Sequence, residues 1–89
     1  MARMEISDAH KAELAARSGA TDALFHLGLM YSSGRERTPD LVSAHKWFNL
    51  AAMKGNGTAK DYRTEIAREM SNNEIAEAQR QAREWLHSH

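Results

Sequence analysis

Cysteine is absent from this chain of 89 residues, and proline occurs once. Without cysteine there is no disulfide staple, no thiolate nucleophile and no cysteine-ligated zinc. A reducing compartment fits that composition, so cytoplasmic is the expected location, with Met1 taken as the natural start. Long apolar runs are missing too. Ala23-Leu24-Phe25 breaks at His26, far short of the roughly 20 apolar residues of a membrane span. The opening MARMEISDAH has no apolar h-region and does not read as a signal peptide. Charge of one sign is also lacking: twelve acidic and twelve basic residues cancel. No global field therefore draws the chain to nucleic acid or to an anionic membrane. β-branched residues are few and never alternate over a strand-length window.

What is present favours helix. Alanine, glutamate, arginine, lysine and leucine dominate long stretches, so the reading is all-α, about five helices in one domain. Glu5 to Ser18 reads as a first helix closed by Gly19, and Ala20 to Ser33 as a second closed by Gly34. After the loop, Pro39 fits the first turn of a third helix, capped by Thr38 or Asp40. Its apolar stripe is Leu41, Ala44, Phe48, Ala51 and Ala52, and it ends at Gly55. A more polar fourth helix spans about Thr58 to Met70, with Tyr62, Ile66 and Ala67 as its expected buried positions. Ser71-Asn72-Asn73-Glu74 is a capping box for the last helix, and Met70 with Ile75 stands at hydrophobic-staple spacing.

Two stretches echo each other 36 residues apart: AARSGATDA from Ala15 and AAMKGNGTA from Ala51. Both fall on helix boundaries, and Ser7 with Ser43 and Leu14 with Leu50 extend the match. The second stretch admits three readings: a linker, a ligand-cradling glycine loop, or a structural joint. It lacks the GK[ST] ending of a phosphate loop and no strand precedes it. The echo favours the joint, with Gly19 and Gly55 taking positive φ. A two-helix period of this length is the mark of an α-solenoid.

The residues between the joints carry a resemblance. Leu24, Leu27, Gly28 and Tyr31 have the spacing of the first helix of a tetratricopeptide motif, and Ala44 with Phe48 that of the second. The connection SSGRERTP is longer than a tetratricopeptide turn. With that loop, the Trp47-Phe48 pair, Ala51-Ala52, Gly55 and Ala59, the chain resembles the Sel-1-like repeat family over residues 15–59. The resemblance implies a short right-handed α-solenoid of antiparallel helix pairs. It divides the chain into a half-repeat (4–19), a full repeat (20–55), a half-repeat (58–70) and a C-terminal capping helix (71–87). The last half-repeat departs from the pattern, with Arg63 and Thr64 where Leu27 and Gly28 stand. About three repeats are the usual minimum for such a stack. Either the cap supplies the missing surface, or the open N-terminal end docks on another copy or a partner.

Catalytic and metal chemistry find little support. His10, His26, His45, His87 and His89 include no pair at i, i+3 or i, i+4 spacing, so structural zinc is not expected. No acid, base and nucleophile stand at a suggestive spacing around His26. No cofactor, metal, small-molecule substrate, nucleic acid or membrane partner is expected. Trp47 reads as packing at the edge of the stripe, under the SSGRERTP loop, and Arg80 as an i, i+4 partner of Glu84.

The resemblance implies a non-enzymatic adaptor or scaffold that grips a protein or peptide along a concave groove. By that analogy the groove positions are Asp22, Phe25, His26, Leu29 and Ser33, then Thr58, Asp61, Tyr62, Glu65 and Arg68. Alanine at Phe25 and Tyr62 together is expected to abolish capture while leaving helicity intact. The alternative is a homodimer through Met4, Ile6 and Leu14 of the incomplete N-terminal layer.

Overall fold

Proline-poor, alanine-rich sequence pairs its amides within helices, and the computed structural model, which describes residues 8–17, 19–34 and 38–88, contains no strand among them. The helices are α1 (Asp8–Ala16), α2 (Thr21–Ser33), α3 (Leu41–Met53), α4 (Gly57–Ala67) and α5 (Asn72–Ser88). Residues 5–7 and 18 of the expected first helix lie outside the described residues.

Each boundary has an identifiable cause. Gly34 ends α2 at φ +70°, a conformation that costs a side chain energy and glycine almost nothing. Asp40 caps α3: the Ser43 amide donates to its Oδ1 at 3.0 Å and the Ser43 hydroxyl to its Oδ2 at 2.8 Å. The cap is therefore Asp40 and not Thr38, and Pro39 precedes the cap instead of opening the helix. The Asp40 amide donates back to the Tyr31 carbonyl at 2.9 Å, tying the start of α3 to α2.

At the end of α3 the Gly55 amide donates to Ala52 and the Asn56 amide to Ala51, at 2.9 and 3.1 Å. With Gly55 at φ +102°, this is a Schellman motif. Asn56 then caps α4, accepting from the Ala59 amide at 2.8 Å, so α4 begins at Gly57, one residue before the expected Thr58. It also ends early. From Arg68 to Met70 the amides reach back only three residues, the tightened bonding of a helix end. The capping box forms as expected: the Glu74 amide donates to the Ser71 hydroxyl and the Ser71 amide to the Glu74 carboxylate. Met70 is buried beside it and Ile75 half-buried.

The core gathers on α3, which packs against α2, α4 and α5, while α1 packs against α2. Three neighbours bury more than one stripe. Ala44, Phe48 and Ala51 are buried as expected, but so are His45, Trp47 and Leu50, whereas Leu41 and Ala52 are only half-covered. Gly28 faces Phe48 so closely that a Cβ there would overlap the ring, and Leu24 and Leu27 are fully buried beside it. Trp47 is not at the edge of the core. It is buried and meets Trp85 of α5 edge-on, 5.8 Å between centroids, the geometry that aromatic quadrupoles favour. Residues 35–37 of the SSGRERTP loop, under which Trp47 was expected to pack, lie outside the described residues.

The Lys54 side chain, next to the second glycine joint, reaches the first. A Cβ on Gly19, itself at φ +83°, would stand 3.0 Å from Nζ of Lys54. The molecule is longer than it is wide, 46 × 27 × 22 Å.

Candidate binding surface on α2 and α4

Residues three and four apart share a helix face, and this places the expected groove positions on one face of each helix. On α2, Asp22, His26 and Ser33 are exposed, and Phe25 and Leu29 half-buried. On α4, Thr58, Asp61, Tyr62, Glu65 and Arg68 are all exposed. The two sets meet at an aromatic cluster. Phe25 and Tyr62 contact edge-on at 5.4 Å, and each also lies against the buried Phe48 ring of α3, at 5.7 and 5.4 Å. Tyr62, which sequence placed among the buried positions of α4, keeps 42% of its surface exposed.

Other expected members come together less closely. Glu65 and Arg68 pair at 3.6 Å along α4, but both side chains are well exposed, and such pairs contribute little. The Ser33 hydroxyl turns back to the Met30 carbonyl and is not presented outward. His26, one position before Leu27, projects to solvent.

The repeat positions hold the scaffold beneath this face. Gly19 and Gly55 take positive φ; Leu27, Gly28, Ala44, Phe48, Ala51 and Ala59 are buried; Tyr31 is half-buried. Arg63 and Thr64, where the pattern is lost, have found other partners. Arg63 donates to Asn49 of α3, and the Thr64 hydroxyl donates to the Lys60 carbonyl one turn back. Sequence reading gave Arg63 no partner, because Asn49 is fourteen residues away on another helix.

Phe25 is thus as much a part of the core as of the surface. Alanine at Phe25 and Tyr62 together would remove two rings that lie against Phe48, so the change carries a cost in stability besides any effect on capture. The cost is that of opening a cavity beside a buried ring.

Two features lie off this face. His45 is 4% exposed, and its Nδ1 has no hydrogen-bond partner. Burial, and secondarily the charge of Arg63, hold its pKa below the ordinary 6.5, so the ring stays neutral. On the other side, a cleft of about 360 Å³ between α3 and α5 is lined by Lys46, Arg80, Gln81, Glu84, Trp85 and Ser88. The Lys46 ammonium sits 4.2 Å from the Trp47 ring centroid, a cation–π placement, and burial lowers its pKa against the opposing pull of Glu13, Glu84 and Asp40. Arg80 bridges Glu77 and Glu84, each at 2.6 Å, and its hydrogen bonds hold the Glu77 carboxyl down at about 2.

Among the described residues no group of three or more His, Asp or Glu side chains is placed to hold a metal ion. No described helix is long and apolar enough to cross a membrane. Compared with protein-family models, curated proteins and solved structures, the chain finds no match.

Proposed function

We propose that the protein is a non-enzymatic interaction module, a short α-solenoid of the Sel-1-like kind, that holds a protein partner on the α2–α4 face. The observation that carries this reading is the Phe25–Phe48–Tyr62 cluster. It joins α2 and α4 by one ring contact over a buried ring and still leaves Tyr62 substantially in solvent. A rigid aromatic anchor with a polar surround is what interface cores use. The repeat reading draws support from the paired positive-φ glycines, from the contact of Lys54 with Gly19, and from the molecule's length. In this reading α2 with α3 forms the full antiparallel repeat, and α5 closes the stack.

The test begins with affinity capture from native lysate, followed by amide hydrogen exchange on the captured complex. Protection is expected over Asp22–Ser33 of α2 and Thr58–Arg68 of α4. Protection confined to α5 would remove the groove assignment.

A second reading is favoured by one comparison. Leu50 is fully buried, while Leu14, its counterpart 36 residues earlier, is 45% exposed. A second copy covering Leu14 would give the first layer what the second layer already has. Met4 and Ile6, the other expected contacts, lie outside the described residues. Sedimentation at micromolar concentration is expected to show a dimer that Leu14→Glu dissociates; a monomer in both proteins discards the idea.

A further inference from the structure

Charge on the α2–α4 face is not distributed as it is in the chain as a whole. The sequence is neutral, yet around the Phe25–Tyr62 contact this face exposes three carboxylates, Asp22, Asp61 and Glu65, against one guanidinium, Arg68. Among the described residues Asp22 and Asp61 enter no ion pair, and Glu65 has only its exposed contact with Arg68. Carboxylates elsewhere are used differently: Glu77 and Glu84 are both spent on Arg80. The acidic groups flank an apolar strip of Phe25, Leu29 and the exposed part of Tyr62.

From this we infer that the occupant of the face is a basic protein segment, with an apolar side chain seated on Phe25, Leu29 and Tyr62 and with lysine or arginine meeting the flanking carboxylates. The inference rests on the proposed use of this face as the binding surface and adds the chemistry of the partner. Complementary charge steers such an encounter and excludes acidic competitors, and the Tyr62 ring offers a second, cation–π contact to the same side chains. A nucleic-acid backbone is repelled by the same carboxylates.

The experiment uses the full chain and two synthetic peptides of about twelve residues, long enough when extended to cross two helices. One carries a Leu-Trp anchor flanked by lysines; its twin carries glutamates in their place. Binding is read by fluorescence anisotropy at low and high salt, and the site by backbone amide NMR shifts. The lysine peptide is expected to bind about tenfold or more tighter than its twin at low salt and to lose that advantage at high salt. Shifts are expected to centre on Phe25, Leu29 and Tyr62. The triple variant Asp22→Asn, Asp61→Asn, Glu65→Gln is expected to lose the preference with its circular dichroism unchanged. Equal binding of both peptides on this face would overturn the basic-partner inference and leave the binding face standing. Shifts confined to the α3–α5 cleft, or no shifts with either peptide, would overturn both.

Discussion

The two joints of the molecule share the frame of two alanines, a glycine and a closing alanine, and are built to different standards. At the second, Gly55 and Asn56 both return hydrogen bonds to the end of α3, and the Asn56 side chain then caps α4. At the first, Gly19 donates to Ala16 at 2.7 Å, but the position matching Asn56 is Ala20, which has no side-chain oxygen to offer the start of α2. Positive φ at a glycine is enough to reverse the chain; fixing the direction in which the next helix leaves requires the cap as well. The well-built joint lies next to the three-sided core of α3. The barer one joins α2 to α1, on which Leu14 is exposed.

The comparison can be broken most forcefully at Gly55. A Cβ there meets no neighbouring atom, so the cost of valine comes chiefly from forcing a β-branched residue to φ +102°, about 2 kcal/mol. Urea denaturation should show that loss, more than helix propensity alone would give. Asn56→Ala leaves the turn but removes the α4 cap, and about 1 kcal/mol is expected to go with it. The reciprocal change is the sharper probe. Ala20→Asn should raise stability by up to about 1 kcal/mol, because Ala20 is already extended and its would-be acceptor site faces an uncapped helix start. If thermal melts show no gain, the missing cap is not what separates the joints.

The smallest effect separates the layers by pH. His45 is neutral in the fold with its pKa held below 6.5, so the unfolded chain takes up the proton first. Its contribution is complete above pH 6.5 and declines as pH falls through that value toward the folded pKa. Because burial and, second to it, the charge of Arg63 of α4 oppose the protonated ring, acidification should lower amide protection factors, corrected for the intrinsic exchange rate, around Asn56 before it does so around Ala20. His45→Gln is expected to flatten that difference.

What sequence could reveal here follows from how far each interaction reaches. The capping box at Ser71 and Glu74 joins residues three apart, and the glycines at the joints answer to their own backbone, so these were legible. Phe25 and Tyr62 were both named through the analogy with tetratricopeptide grooves, and the structure brings their rings into contact, although the 36-residue echo itself pairs Tyr62 with His26. Burial of Trp47, His45 and Leu50 was not legible. A single amphipathic stripe describes a helix covered on one side, and α3 is covered by three helices, two of which follow it in the chain. Asn56 was missed because two adjacent glycines drew attention to the turn and away from its cap. The dual role of Phe25, half on the surface and half against Phe48, could not be read from spacing at all, since it depends on how deeply α2 settles onto α3 at Gly28.

Asn56 closes one helix and opens the next, and this restricts how the chain can change in length. A residue inserted after it would turn α4 by about 100° and advance it by about 1.5 Å, carrying Tyr62 off Phe25 and Arg63 off Asn49 together. A deletion would do the same in the opposite sense. Variation in length between these two helices is thus closed to the protein, and any remodelling of the face must come by substitution.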